Sequence, residues 1–360
     1  DGAMGTQLYE RGVLYSACFE ELNVSRPELV QKVHEDYARA GATVLETNTF
    51  GANALRLEKH GLSQRVTELN EAGVKVARQA AGERAYVLGC VGPSGYFLGQ
   101  ATADELVTVR RVLLEQAKAL VGAGVDGLVV ETFRQSNELQ VAVEAALEAS
   151  EGRVPVVACA SIDEQGRMAE GTSAGDIAAL LRAWGAHSVG INCSDGPMNV
   201  LEAVEPMLAA GLPVLAVPNA GVPRRVDERL VYVTTPEYFG VYARRLFKLG
   251  VAMVGGCCGT TPEHVRRVAA AARMVGSHRE ESEPPRASAS LRALDESAPR
   301  QGVPAVPFAQ KSGLAATIAA GRFAVSVEVN PPIGLDPRKA VEAARLLKAG
   351  GVDVIHIADA

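Results

Sequence analysis

Two rhythms alternate along the first 278 residues. A stretch with apolar positions at helical spacing runs into a glycine, and a short, almost continuous Val/Ile/Leu/Ala run then ends in polar residues. The pattern recurs at Ala40-Gly41-Ala42 before TVLETNTF, Ala123-Gly124-Val125 before DGLVVETF and Trp184-Gly185-Ala186 before HSVGINC. It returns at Ala210-Gly211-Leu212 before PVLAVPN and Leu249-Gly250-Val251 before AMVGGCC. Glycine suits the left-handed residue that closes a helix, and apolar runs without strict alternation suit strands covered on both faces. The reading is therefore α/β, with seven strands near 43–47, 86–91, 126–131, 154–161, 188–193, 213–217 and 252–257. An eighth is expected upstream of Asp1, which makes a (β/α)8 TIM barrel over 1–278 a better fit than a doubly wound sheet. Thr102 with Glu105 forms a candidate capping box, and Thr235-Pro236 and Thr261-Pro262 each place proline at a first helical position.

After that the texture changes. Residues 279–311 carry Pro284, Pro285, Pro299, Pro304 and Pro307 with few periodic apolar positions, which predicts a linker. Residues 312–360 hold a helix-like stretch from Ser312 to Ala320, the run FAVSVEVNPP, a helix from about Pro337 to Ala349, and VDVIHIAD after Gly350-Gly351. This is the start of a second α/β barrel, expected to be truncated, because one β-α-β unit cannot bury its own faces.

Composition narrows the function. With 48% hydrophobic and 22% charged residues the chain has a globular balance, and a formal charge of -6 without any basic block gives no footprint for nucleic acid. No apolar run approaches the ~18 residues of a membrane span, so no membrane partner is expected and the cytoplasm is the expected location. No phosphate-binding glycine motif is present, which weighs against nucleotides. Six cysteines in 360 residues are too few for a disulfide framework, which turns attention to metal binding or catalysis.

Asn192-Cys193 ends one predicted strand and Gly255-Gly256-Cys257-Cys258-Gly259 ends another. Barrel active sites form at the carboxyl ends of strands, so these three thiols should meet over the mouth. Three thiolates can hold Zn²⁺ and leave its fourth position open, as a catalytic site requires. Adjacent strand residues face opposite ways, so Cys257 and Cys258 converge only if the backbone bends, which Gly255, Gly256 and Gly259 permit. Spacing alone leaves open a buried thiol at Cys193 and an inert or disulfide-bonded Cys257-Cys258. Cys18, Cys90 and Cys159 read as structural thiols, and the six histidines receive no role.

Taken in order, DGAMGT at 1–6, ETNTF at 46–50, GPSG at 92–95, ETF at 131–133, GINC at 190–193 and GGCCG at 255–259 closely resemble the zinc-dependent homocysteine S-methyltransferase family. That resemblance implies a (β/α)8 barrel in which Cys193, Cys257 and Cys258 bind zinc and homocysteine's sulfur takes the vacant position. A methyl donor then converts homocysteine to methionine. It further implies that Asp1 and Glu131 lie near the substrate ammonium and that the N–H groups of Gly2 and Ala3 receive its carboxylate. Asn192, Glu46, Asn48 and Ser161 are further pocket candidates, with structural hydrogen bonding the alternative for each.

The segment VSVEVNPP with HIADA resembles the opening of methylenetetrahydrofolate reductase, an FAD-dependent barrel. Glu328 occupies the place of that family's proton donor, and FAD is expected only for this incomplete region. Val329-Asn330 departs from the aromatic residues usual there. The order of modules resembles bifunctional proteins joining both activities. Two other readings stay open: the homocysteine module of a cobalamin-dependent methionine synthase, and a zinc-stabilised barrel without turnover.

Overall fold

All five glycines placed between a helix and a strand adopt positive φ, from 70° at Gly211 to 108° at Gly250, so the helix-to-strand punctuation holds where it was read. The computed structural model describes residues 1–96, 102–226, 229–279, 319–320, 326–329, 338–352 and 354–357. The chain divides into two compact units, Asp1–Pro284 and Pro285–Ala360.

In the first unit, strands β1 (Val44–Glu46), β2 (Tyr86–Val91), β3 (Gly127–Phe133), β4 (Val156–Ala160), β5 (Ser188–Asn192) and β6 (Val214–Val217) pair in chain order. An antiparallel hairpin, β7 (Arg224–Val226) with β8 (Arg229–Val231), follows, and β9 (Met253–Val254) then pairs with β6. Every neighbouring pair in the seven-stranded sheet is parallel. The sequence predicts all seven of these strands but not the hairpin. Asp1 bridges the sheet's two edges, its main-chain nitrogen donating to Val44 O at 3.2 Å and its carbonyl accepting Gly256 N–H at 2.9 Å. The fold is that of a (β/α)8 barrel.

The helices that cover the strands are α1 (Gly5–Glu10), α2 (Leu22–Ser25), α3 (Pro27–Ala40), α4 (Ala54–Glu58), α5 (Val66–Ala81), α6 (Ala103–Gly122), α7 (Ser136–Ser150), α8 (Ala174–Ala183), α9 (Pro197–Met207), α10 (Pro236–Leu249) and α11 (Pro262–Arg279). The Thr102–Glu105 capping box forms at the start of α6, and Thr235 caps α10 with Pro236 in its first turn. Among the described residues, no helix is long and apolar enough to cross a membrane.

Strand alternation sorts the side chains into two packed sets. Leu45, Val87, Leu128, Val130, Val156, Ala158, Val189, Ile191 and Val214 join the helices in one core, while Leu88, Cys90, Val129, Val157, Cys159, Leu215 and Val217 pack inside the sheet's curve. The same parity carries Glu46, Cys90, Glu131 and Asn192 to the inner face at the strands' carboxyl ends. Chemistry there stands on an apolar plug.

In the second unit Ser326–Val329 and Val354–Ile357 pair in parallel across the helix Arg338–Ala349, with Glu328 opposite His356 in register. A β-α-β unit is thus present, with Glu328 on its first strand. The predicted linker, apart from its first residue, and most of the 312–320 helix lie outside the described residues.

Gly190 tests the tightness of the inner layer. A Cβ there would stand 2.4 Å from Leu215 O and 2.9 Å from Cys159 Sγ, in a strand whose five residues are all buried. Gly190→Ala should cost about 1–3 kcal/mol, the usual penalty of overpacking, read as a lowered midpoint in chemical denaturation; an unchanged midpoint would refute this picture of the inner layer.

Candidate active site

The three thiols meet. Sγ atoms of Cys193, Cys257 and Cys258 all lie within 4.8 Å of one another, and those of Cys193 and Cys258 are 3.6 Å apart. Tetrahedral zinc with Zn–S bonds of about 2.3 Å needs S···S edges near 3.8 Å. The donor set fits such an ion in size and in softness.

The route by which the sulfurs converge differs from the one expected. Strand β9 ends at Val254, so Cys257 and Cys258 sit in the following loop and no reversal of strand alternation is needed. That loop is splinted to the segment after β6: Cys257 N–H donates to Pro218 O at 2.8 Å and Ala220 N–H to Cys258 O at 2.9 Å. Thr260 Oγ1 donates to Cys257 O at 2.7 Å. Gly259 closes the turn at φ +79°, where a Cβ would lie 2.1 Å from Tyr232 Cγ. Cys193 comes just after β5, at φ +44°, a left-handed conformation uncommon outside glycine and concentrated at functional sites. Its N–H donates to Val217 O at 3.2 Å and its carbonyl accepts from Ser161 Oγ at 3.0 Å.

A second left-handed residue, Thr132 at φ +67°, lies on β3 beside a break in register with β4. Asn192 locks the two strands together: its Oδ1 accepts Thr132 N–H at 2.7 Å, and its Nδ2 donates to Glu131 Oε2 at 2.6 Å and to Thr132 Oγ1 at 2.7 Å. Cys90 donates its thiol to Glu131 Oε1 at 3.0 Å. Glu131 is therefore held at both oxygens, one by β2 and one by β5.

Asp1, Gly2, Ala3, Glu46, Asn48, Glu131 and the three cysteines all border one cavity of about 540 Å³. Several details depart from expectation. Ala3 N–H already donates to Thr260 Oγ1 at 3.1 Å, so it is not a free receiver for a carboxylate. Both Asn48 amide donations serve the fold, to Phe19 O at 2.7 Å and Asn23 Oδ1 at 3.0 Å. Asn192 and Ser161 stand behind the cavity wall and act on Glu131, Thr132 and Cys193. In the other direction Cys90, read as merely structural, and His60, given no role, are wall residues, and so are Tyr15, Arg56 and Tyr232. The hairpin ends just before Tyr232; the sequence reading did not assign it, although Leu230-Val231-Tyr232-Val233 is a β-favouring run.

The electrostatics divide the site. Burial, with the nearby Glu46 carboxyl adding to it, pushes Glu131 well above the usual carboxylate range, and burial likewise raises Glu46. The two share a hydrogen bond, so they hold a proton between them more readily than isolated acids. Asp1 Oδ2 accepts Glu46 N–H at 3.0 Å. Three carboxyl groups thus gather at one end of the cavity. Among the cysteines, hydrogen bonds from the Cys193 and Cys257 thiols, with a further one from Tyr232, hold Cys258 far below the ordinary thiol range. Cys257 is pushed well above it by its bonds to those two thiols and by burial.

The homocysteine S-methyltransferase profile matches residues 1–272. The chain is 33% identical to methionine synthase of Mycobacterium tuberculosis over 288 residues, 75% of this chain and 24% of that protein. It is 31% identical to betaine–homocysteine S-methyltransferase 1 of Rattus norvegicus over 293 residues, 75% of this chain and 70% of that one. The chain thus spans about a quarter of the methionine synthases it matches. The homocysteine methyltransferase MmuM of Escherichia coli, solved in a metallated form, superposes with a TM-score of 0.62 at 27% identity, covering 75% of this chain and 94% of that one. On the matched span, the barrel and the ordered motifs, this chain belongs to the homocysteine S-methyltransferase family.

Proposed function

We propose that the first unit is a zinc-dependent homocysteine S-methyltransferase in which Cys193, Cys257 and Cys258 are the metal ligands. The observation that carries this reading is the sulfur triangle, sized for one tetrahedral ion and opening on a cavity whose nearby end is lined by acids. Zinc held there supplies a Lewis acid that keeps an incoming thiol in its nucleophilic thiolate form near neutral pH. The metallated form of the MmuM structure supports the choice of a metal site.

The chain's own residues do the positioning. Glu131, fixed by Cys90 and Asn192, and Asp1, fixed by Glu46 N–H, offer carboxylates to the substrate ammonium. An arriving ammonium favours the ionised form of the Glu46–Glu131 pair, offsetting the burial that otherwise keeps a proton there. Gly2 N–H is the remaining candidate for the substrate carboxylate. With the amino acid held at this end, its sulfur attacks the donor's methyl carbon in line. A carbon–sulfur bond forms as the donor departs with the electron pair of the bond that breaks, and catalysis rests on orientation more than on acid-base work.

Methionine synthase and the betaine enzyme are relatives at similar identity, so they do not choose the donor. Glu328 as a proton donor to a folate, with FAD as its cofactor, is proposed for a completed second unit only, as are the bifunctional arrangement and a cytoplasmic setting.

Cys193→Ala and Cys258→Ala should each lose zinc and methionine formation together, measured by metal analysis and product assay; full activity in either after chelation would reject the ligand set. Because sulfur must be deprotonated to bind the metal, zinc uptake near neutral pH should release protons, read with a pH indicator. Release of none would contradict the thiol assignment. Glu131→Gln should raise the KM for homocysteine about tenfold or more, as loss of a charge-assisted contact does. An unchanged KM removes Glu131 from the ammonium site.

A further inference from the structure

The hydroxyl of Thr260 stands where the metal end and the amino-acid end of the site meet. Thr260 is fully buried, in the loop just after the cysteines. Its Oγ1 accepts Ala3 N–H at 3.1 Å and donates to Cys257 O at 2.7 Å. One oxygen therefore touches both the segment that carries Asp1 and Gly2 and a residue that carries a sulfur of the triangle. Tyr37, fully buried on α3, closes the junction from behind, its O–H shared between Ala3 O at 2.8 Å and Thr260 O at 3.1 Å. Burial pushes this phenol above its ordinary range, so it stays a donor near neutral pH.

Two glycines make room for this junction. A Cβ at Gly2 would lie 2.5 Å from the Tyr37 ring, and one at Gly256 would lie 2.6 Å from both Oγ1 and Cγ2 of Thr260. Neither glycine is at positive φ, so the close approach, not a turn, is what excludes a side chain. Two further bonds run alongside: Gly256 N–H donates to Asp1 O at 2.9 Å and Gly259 N–H to Thr6 Oγ1 at 3.3 Å. The first sets the plane of the Asp1–Gly2 peptide and with it the direction of Gly2 N–H. Without Thr260 Oγ1, Ala3 N–H would be a buried donor lacking its partner, and Cys257 O would keep only the Thr260 N–H at 3.1 Å. Both segments would then be free to shift.

We propose that Thr260 is a positioning residue for the reaction, its hydroxyl holding the metal loop and the homocysteine anchor in one register. This rests on the methyl-transfer reading above. Thr260 does not itself border the cavity. It acts on the metal site through the Cys257 carbonyl and on the amino acid through the Ala3 peptide. Loss of the hydroxyl loosens both ends at once, although every thiol and carboxyl group of the site is still present.

The test compares the unsubstituted full chain with Thr260→Val, which keeps the shape without the hydroxyl, and Thr260→Ser, which keeps the hydroxyl without the methyl. Zinc affinity is read by chelator competition. The amino-acid end is read with L-norvaline, which has the ammonium and carboxylate of homocysteine but no thiol, titrated by calorimetry at saturating zinc. Thr260→Val should weaken zinc about 10- to 100-fold, the usual effect of losing an outer-shell partner, and norvaline about 3- to 10-fold. Thr260→Ser should recover most of both losses, and Tyr37→Phe should weaken both ligands to a smaller extent. Unchanged zinc or norvaline affinity in Thr260→Val, a Thr260→Ser variant as impaired as Thr260→Val, or an unsubstituted protein that binds homocysteine but not norvaline would each overturn the proposal. If Thr260→Val does not fold, Tyr37→Phe decides in its place; failure of both to fold would overturn the proposal too, because the junction would then serve the fold and not the site. An unsubstituted protein that binds neither zinc nor homocysteine would instead sink the underlying reading, and this inference with it.

Discussion

Everything at the mouth of this barrel depends on bringing three sulfur atoms from two non-adjacent strands into one small volume. Cys193 follows β5 and Cys257-Cys258 follow β9, with β6 lying between them in the sheet. The segment after β6 is the splint. Val217 O fixes Cys193, while Pro218 O and the Ala220 N–H fix the Cys257-Cys258 loop. The convergence has a conformational cost at Cys193, left-handed without being glycine, and at Gly259, where no side chain fits. Such costs persist because the surrounding hydrogen bonds over-determine them.

The floor of the cavity follows a second logic. Burying Glu46 and Glu131 together disfavours two full charges, and their pKa values rise in consequence. Asn192 and Cys90 nevertheless hold both oxygens of Glu131 in place, so the carboxyl is oriented before any cation arrives. The bulge on β3 and the left-handed Thr132 turn this part of the strand toward Asn192. Metal ligand and substrate anchor are thereby linked: Asn192, next to Cys193 in the chain, positions Glu131 directly. A disturbance at either reaches the other through one amide.

Much of the architecture was legible in the residues because glycine and apolar runs respond to local physics. The helix-closing glycines, the Thr102 capping box and all seven barrel strands rest on steric and packing rules that need no partner. Strand ends were less legible: β9 ends at Val254, and the next N–H groups, of Gly255, Gly256 and Cys257, bond to Ala216 O, Asp1 O and Pro218 O, partners remote in sequence that no local pattern encodes. Strand-end position already grouped the three cysteines, the resemblance added Glu131 and Asp1, and the structure brings all five to one cavity. It also moves Asn192 and Ser161 behind the wall, commits the Asn48 amide and Ala3 N–H to structural bonds, and raises Cys90 and Arg56 to wall residues. These outcomes depend on three-dimensional neighbours 25 to 257 positions distant, such as Asn23 for Asn48 and Thr260 for Ala3, and so lie beyond local reading.

X-ray absorption at the zinc edge, recorded before and after adding selenohomocysteine, is the most direct measurement of the central claim. The account predicts three sulfur neighbours at about 2.3 Å with one lighter ligand at first, and a zinc–selenium shell replacing that lighter ligand afterwards. A protein that retains no zinc, or a spectrum with no selenium shell at saturating selenohomocysteine, would contradict it.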